Sequence, residues 1–379
     1  MSKYNYDKSA LKGLGVGAFL GEVKLRESKI AEAPAEEIQS IFNANIVAAK
    51  LHPHIQFLKI ADVKEEPDAK TFTLVANKEK GTEELALFRA GQYLSVVVEM
   101  DGKFTSKPYT LASKPSTEEY KITVKKAGNG GASDFIVDNW TVGTEVMTSG
   151  PLGNFYYQDL RDAKSVIAVA GGSGITPFLS MAAAINAGLE DFSLTIIYGS
   201  KTEASVLCKA ELDALCSDKV KVVYVIGDLI TADIIKANAS GDYTLYACGP
   251  KAMYDFLTGE VQKLGLPKRR VRFEVPGENH SGKPGAEYKV TVWARGEKYE
   301  LTCKSDETLL HACENAGIGV TTDCRSGICG WCRSRLISGD VLIPEDADGR
   351  RAADKKFGWI HPCASFPLSD IEMEVFPVI

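Results

Sequence analysis

The sequence predicts a multidomain chain with three folded parts: a small antiparallel β-barrel, an α/β doubly wound domain and a small α+β domain. Three observations predict this. Between residues 55 and 157, short runs of β-branched and aromatic residues are broken by Gly, Pro, Asp and Asn turns. From Ser165 the runs become continuous apolar strands alternating with helical segments. Beyond a polar Pro/Gly-rich stretch, the last part carries three cysteines within nine residues and a fourth after thirty more. The expected divisions are an N-terminal extension at 1–50, the barrel at 51–160, the α/β domain at 161–275, a linker at 276–286 and the last domain at 287–379. A chain of 379 residues and 41.0 kDa has the length for two or three such cores.

The extension is the least informative stretch. Leu11 to Gly21 is apolar but laced with glycine, poor material for a stable helix. From Ala35 to Leu51 apolar residues recur at helical spacing after Pro34, which predicts a helix in an arm packed on the first domain. The barrel strands are expected at Phe57–Val63, Thr71–Val75, Tyr93–Val98 and Tyr120–Lys125, separated by turns at Glu66-Pro67-Asp68, Asp101-Gly102 and Gly128–Gly131. Two loops here suit chemistry. Lys107-Pro108-Tyr109-Thr110 leads on to Ser113 after a strand, and Gly130-Gly131-Ala132-Ser133 opens a helix through Asn139. A helix N-terminus behind glycine presents unbonded N–H groups and a partial positive charge, a seat for phosphate.

Pro151-Leu152-Gly153 closes the barrel. Buried strands are then expected at Ser165–Ala170, Ser193–Tyr198, Lys221–Ile226 and Tyr243–Ala247, with helices at Phe178–Ala187, Lys209–Cys216 and Ala252–Leu264. In such sheets ligands lie at the carboxyl ends of the strands. Gly171-Gly172-Ser173-Gly174-Ile175-Thr176-Pro177 falls at one such end, and Cys248-Gly249-Pro250 at another. The first is neither G-x-G-x-x-G nor a Walker loop, since no Gly-Lys-Ser/Thr follows.

After the linker, strands Tyr288–Ala294 and Lys298–Cys303 are expected to form a hairpin around Arg295-Gly296. A helix follows within Ser305–Gly317, capped by Ser305/Asp306, with Cys313 inside it and His311 at its surface. The cysteines Cys324, Cys329, Cys332 and Cys363 read as C-x4-C-x2-C followed by a distant C. That is the plant-type [2Fe–2S] spacing, in which four thiolates hold the cluster. Glycines at 327 and 330 let backbone N–H groups approach its sulfurs. Structural zinc usually takes its cysteines as two C-x2-C pairs, and the x4-x2 triplet does not divide that way. Nine cysteines spread over a long chain do not describe a secreted disulfide framework. His361 lacks the C-x-H partner of a Rieske centre.

The formal charge of −6, with no basic run, excludes a nucleic-acid protein. Residues 287–379 hold 15 Asp and Glu against 11 Lys and Arg, an acidic excess suited to a basic redox partner. Residues 166–186 are uncharged, but Gly171, Gly172, Gly174 and Pro177 interrupt them, so no membrane span is expected. The run Leu14–Leu20 is too short for a secretory signal. The expected location is cytoplasmic, with thiols reduced.

These motifs carry a resemblance. Residues from about 287 to 379 resemble a plant-type ferredoxin domain. The two barrel loops resemble the flavin site of the ferredoxin–NADP⁺ reductase superfamily, with its R-x-Y-[ST] motif and G-x-x-S turn. The glycine loop with Cys248-Gly249-Pro250 resembles the pyridine-nucleotide half of that superfamily. The whole layout, from about residue 55 to the end, looks like the reductase components of multicomponent oxygenases, with a phthalate dioxygenase reductase-like architecture and a β-grasp-like ferredoxin domain.

The resemblance implies that Tyr109 packs on a flavin (FAD, alternatively FMN), with Thr110 near its reactive nitrogen. Lys107 and Gly130, Gly131, Ala132 and Ser133 would hold its phosphate. Lys107 replaces the family's arginine, keeping the charge but not the two-pronged donor geometry. Gly171, Gly172, Gly174 and Thr176 would receive the dinucleotide pyrophosphate. Cys248, with Gly249 and Pro250, would lie beside the nicotinamide, and Phe273 and Glu274 would border the flavin. The turn Gly199–Glu203 reads the coenzyme ribose. Lys201 and Glu203 point in opposite directions there, and the absence of an Arg cluster favours NADH over NADPH. Trp331 stands where the family carries a smaller residue, either shielding the cluster or forming a docking surface.

The parts make one electrical argument. A nicotinamide gives up two electrons as hydride, a [2Fe–2S] cluster takes one, and a flavin mediates between them. The expected activity is NAD(P)H-dependent transfer through flavin and cluster to an electron-acceptor protein, an oxygenase or another redox enzyme component, aerobic or anaerobic. The alternative is a non-catalytic electron carrier or redox sensor with a degenerate nucleotide site.

Overall fold

The computed structural model describes residues 17–32, 43–100, 102–274 and 282–376. Residues 1–48 and 49–379 form two separate units. In the first, α1 (Gly17–Glu32) is helical from within the stretch expected to resist helix formation. The reason is its continuation, Glu22 to Glu32, which is rich in strong helix formers that outweigh Gly17 and Gly21. α2 (Asn43–Leu51) is the described part of the helix expected from Ala35; residues 35–42 lie outside the described residues.

The second unit begins with six antiparallel strands: β1 (Gln56–Glu66), β2 (Ala69–Ala76), β3 (Tyr93–Met100), β4 (Lys103–Thr110), β5 (Tyr120–Lys125) and β6 (Glu145–Thr148). Their order is β4-β3-β6-β1-β2-β5. The sheet curls into a half-barrel: just past β4, Leu111 bridges Ile122 of β5, and Ala112 N donates to Lys121 O at 2.7 Å. Leu58, Phe72, Leu74, Leu94, Tyr120 and Ile122 fill its interior, and Phe72 meets Trp140 edge-on at 5.7 Å. Helix α3 (Ala132–Asn139) covers one end through Ile136 and Val137.

One expectation fails here. Lys107–Thr110 is not a loop but the end of β4, paired from Val96↔Lys107 to Tyr93↔Thr110. β4 is the sheet edge, where Pro108, lacking an N–H, is tolerated within a strand.

Next come five parallel strands: β7 (Ser165–Gly171), β8 (Ser193–Ser200), β9 (Val220–Ile226), β10 (Thr244–Cys248) and β11 (Val271–Glu274), in the order β11-β10-β7-β8-β9. The connecting helices are α4 (Thr176–Asn186), α5 (Lys209–Ala214), α6 (Ala232–Asn238) and α7 (Lys251–Gln262). Alternate β7 residues feed two cores. Val166, Ala168 and Ala170 pack with α4, while Ile167 and Val169 pack with Leu257 of α7. The sheet is therefore covered on both faces, which is why its strands read as unbroken apolar runs. The strand order reverses between β7 and β10, so the crevice at their carboxyl ends is the switch point.

The remaining part is a mixed sheet of β12 (Glu287–Ala294), β13 (Glu297–Lys304), β14 (Ser334–Ser338), β16 (Trp359–Ile360) and β18 (Ile371–Val375), ordered β13-β12-β18-β14-β16. A small pair, β15 (Val341–Leu342) and β17 (Phe366–Pro367), lies outside it. Arg295 (φ +54°) and Gly296 (φ +83°) form the expected hairpin turn. α8 (Leu309–Asn315) packs Leu309, Leu310, Ala312 and Cys313 into the core, and α9 (Ala352–Lys356) follows. Thr308, not Ser305 or Asp306, caps α8: its side chain accepts from His311 N. Ser305 is used otherwise, donating to Lys283 O at 2.8 Å. Gly282 lies so close to Asp306 and the Phe366 ring that a side chain would overlap both. Of the linker expected at 276–286, residues 276–281 lie outside the described residues.

Candidate redox site

The carboxyl ends of β7 and β10 face the end of β4 across a cleft of about 420 Å³. Tyr109 and Thr110 contribute one wall; Gly171, Gly172, Gly174 and Thr176 a second; Cys248, Gly249 and Pro250 a third. Glycine is required where two of these walls touch, since a Cβ on Gly174 would overlap the Cys248 carbonyl. Tyr198 steadies the glycine loop from below, its hydroxyl donating to Gly172 O at 3.0 Å. Thr176 Oγ1 donates to Ser173 O at 2.9 Å and fixes the entry to α4. Ser180 Oγ donates to Ser113 O at 2.7 Å and Cys208 N to Glu66 Oε2 at 3.0 Å, tying the α/β part to the half-barrel.

Cys248 is buried, and burial, with Glu274 beside it, pushes its thiol well above the ordinary range. The thiol is therefore neutral at physiological pH. Glu274 pairs with Cys248 in the parallel register of β10 and β11. Its neighbour Phe273 packs against the Tyr254 ring at 5.3 Å and does not line the cleft. Tyr254 also accepts from Gly249 N at 3.0 Å and donates to Glu274 O, so one phenol holds the ends of both strands.

The Gly130–Ser133 turn is more committed than its sequence implied. The Asp134 carboxylate accepts from Ala127 N (2.6 Å), Gly128 N (3.0 Å) and Gly130 N (2.7 Å), and Gly131 N donates to Asn129 Oδ1 at 3.0 Å. Those bonds, led by Gly128, hold the Asp134 pKa below the usual carboxylate range. What remains is the first turn of α3, where no helical carbonyl reaches the amides of Ala132 and Ser133. Ser133 Oγ lies 2.9 Å from Tyr109 Oη, linking this turn to the cleft.

The four expected cysteines converge in the third part of the unit. Cys332 and Cys363 sulfurs are 3.3 Å apart, and Cys324 and Cys329 form a second hydrogen-bonded pair. Backbone amides surround them: Ser326 N and Cys329 N approach Cys324 Sγ at 3.4 Å, Gly327 N approaches Cys363 Sγ at 3.3 Å, and Trp331 N approaches Cys329 Sγ at 3.4 Å. Gly327 (φ +79°) is pressed so near Ala347 O that a side chain would overlap it, and His361 Nδ1 lies 2.6 Å from Gly327 O. Two thiol pairs inside a shell of N–H donors fit a binuclear [2Fe–2S] centre and its four-thiolate donor set.

Comparison with known proteins agrees with each part. The FAD-binding oxidoreductase domain family matches residues 60–157, the NAD-binding oxidoreductase domain family residues 168–258, and the 2Fe-2S iron–sulfur cluster binding domain family residues 294–368. The structure of phthalate dioxygenase reductase, described as modular for electron transfer from pyridine nucleotides to [2Fe–2S], superimposes with a TM-score of 0.63 at 28% identity. The similarity covers 85% of this chain and 98% of that one. The beta subunit of heme-dependent oxidative N-demethylase from Ectopseudomonas mendocina (strain ymp) is 30% identical over 261 residues, 68% of this chain and 80% of the relative. The ferredoxin reductase component of 3-ketosteroid-9-alpha-monooxygenase from Rhodococcus rhodochrous is 29% identical over 308 residues, 75% and 86% of the two chains.

The chain belongs to the ferredoxin–NADP⁺ reductase-like flavoproteins with a C-terminal [2Fe–2S] domain. It is an NAD(P)H-dependent oxidoreductase that passes electrons through flavin to an iron–sulfur cluster.

In this reductase the cysteine loop stands beside the cleft. Burial, then the charge of Cys324, pushes Glu274 up to about 8, and the same two causes push Asp323 up to about 6. Tyr93, at the start of β3, is raised by burial first and then by Cys324 and Cys329. Cys324 itself is drawn down, chiefly by its hydrogen bond with Cys329. The structure adds Thr123 and Lys125 to the cleft, residues the sequence reading passed over, beside Pro108 and Ser173 of the two motifs. Period-2 alternation places Thr123 and Lys125 on one face of β5, but nothing local says that this face meets the glycine loop. Lys107 is partly buried on β4 and outside the cleft. Trp331 and Ile328 are about half exposed on the cysteine loop.

Proposed function

We propose that the reductase takes hydride from NADH in the β4–β7–β10 cleft and delivers single electrons from the cysteine loop to an oxygenase partner in the cytoplasm. The observation that carries this reading is the convergence of Tyr109, Thr110, the Gly171–Thr176 loop and Cys248 on one cleft, with the cysteine loop beside Glu274. The expected boundaries at 160, 275 and 286 remain part of the proposal.

Tyr109 and Thr110, lining the cleft at the end of β4, are the residues that would hold the flavin ring. Ala132 and Ser133, with Lys107, hold the flavin phosphate through helix-end amides and charge. Gly130 and Gly131 shape that turn, because their amides are already bonded. Gly171, Gly172, Gly174 and Thr176 seat the coenzyme pyrophosphate, and Lys125 adds positive charge nearby. Cys248, Gly249 and Pro250 hold the nicotinamide, with Glu274 closing the inner side and Phe273 setting it in place through Tyr254. A flavin supplies the change from paired to single electrons that the cluster requires. Cys324, Cys329, Cys332 and Cys363 hold that cluster. The choice of NADH rests on the exposed turn after β8. There Ser200 and Ser205 hydroxyls bond each other at 2.8 Å, and Lys201 is the one cation between Gly199 and Glu203.

Among the described residues no helix is long and apolar enough to cross a membrane. The oxygenase partner is inferred from relatives that serve a monooxygenase and a haem-dependent N-demethylase. Ile328 and Trp331 are the exposed apolar residues of the cysteine loop that such a partner would meet.

Anaerobic mixing of the holoprotein with NADH or NADPH tests the proposal. Flavin absorbance should bleach first and cluster absorbance second, faster with NADH. No bleaching with either coenzyme would overturn it in favour of a carrier or sensor.

A further inference from the structure

β4 serves two neighbours. Its end, Pro108 to Thr110, lines the cleft, while Thr105 and Ser106 face the ferredoxin part. Thr105 Oγ1 donates to Glu314 Oε2 at 3.2 Å, and Ser106 Oγ donates to Thr322 O at 3.3 Å, two residues before the first cysteine of the loop. Glu314, on α8, also receives both arms of Arg325: Nη1 to Oε1 at 2.6 Å and Nη2 to Oε2 at 2.8 Å. Arg325 directly follows Cys324, is fully buried and holds a left-handed backbone at φ +54°. A buried guanidinium in a strained loop has a fixed place, so its carboxylate partner must come to it. Bidentate pairing then fixes the plane of that carboxylate. Its second acceptor position is spent on the flavin-side strand.

We propose that Glu314 is a positioning residue for electron transfer. One carboxylate locks the cysteine loop through Arg325 and registers it against β4 through Thr105, setting the separation between cluster and cleft. The inference rests on the reading of the cleft and the cysteine loop given above. It adds a role for Glu314, Arg325 and Thr105, none of which is one of the four thiolate ligands or lines the cleft.

The test is anaerobic stopped-flow mixing of the full-length holoprotein with NADH, following flavin and cluster absorbance separately. Thr105→Val combined with Ser106→Ala should leave NADH-to-flavin transfer and the cluster's EPR signal unchanged. Flavin-to-cluster transfer should slow by about tenfold, as small misplacements do in positioned reactions. Thr105→Ser, which keeps the hydroxyl, should restore the wild-type rate. Glu314→Gln should slow the same step and also raise the cluster's midpoint potential, because it removes a negative charge held against the cysteine loop. Wild-type transfer rates in the double variant, or equal slowing by Thr105→Ser, would overturn the inference alone. Failure of NADH to bleach the flavin in the wild-type protein would instead overturn the underlying reading, and the inference with it.

Discussion

Cys248 shows what a single residue contributes. Its thiol is buried, kept neutral and held at a strand end by the Tyr254–Gly249 bond, so it presents a small, uncharged, polarisable surface. Cys248→Ala should slow hydride transfer on the order of tenfold with flavin content unchanged, since orientation and not binding is lost. Rapid-reaction kinetics with NADH would check this, and a wild-type rate would reduce Cys248 to packing. At this scale the sequence was most legible where the chemistry is local. Three thiols in nine residues identify their ligand shell before any fold is known. Lys125 was invisible because only the curled sheet brings β5 to the glycine loop. Gly130 and Gly131 show the opposite case: the Asp134 carboxylate claims the Gly130 amide and the Asn129 side-chain oxygen the Gly131 amide, which the glycines alone did not announce. His361 was read only as a missing Rieske ligand, whereas it buttresses Gly327.

Among the elements, the glycine loop and β10 are packed backbone to backbone. Gly174→Ala would drive a methyl group into the Cys248 carbonyl and part the ends of β7 and β10. The expected cost is about 1–3 kcal/mol of stability, together with weaker coenzyme binding. Thermal unfolding and the KM for NADH would measure the two, and an unchanged KM would mean that the loop does not seat the coenzyme. The five parallel strands were legible because burial on both faces writes them as continuous apolar runs. β4 was not, since Pro108 reads as a strand breaker and only its edge position makes it harmless. The start of α8 was misplaced by three residues for a similar reason: Ser305 and Thr308 are equally good caps in sequence, and the tie to Lys283 decides between them.

For the whole molecule, the order of parts implies that loss of the last cofactor should spare the first step. Cys332→Ser removes one member of the Cys332–Cys363 pair. It should abolish the cluster's absorbance and EPR signal and all transfer to a partner, while NADH still bleaches the flavin at the wild-type rate. Simultaneous loss of flavin would show that the parts do not fold independently. The order of the parts was legible from the change of hydrophobic period along the chain, but their mutual docking was not. No local pattern announces that Thr105 and Glu314, 209 residues apart, will meet. The close seating of Gly282 against Phe366 has a consequence for kinetics. Eight peptide units separate it from Glu274 at the end of β11, so their anchors can stand no more than about 28 Å apart. Even if the seam with β4 opened, the cysteine loop would remain on a leash at a local concentration in the millimolar range, by the arithmetic of short tethers. Flavin-to-cluster transfer is therefore a first-order event, insensitive to dilution, and only the encounter with the partner depends on how much protein the cell makes.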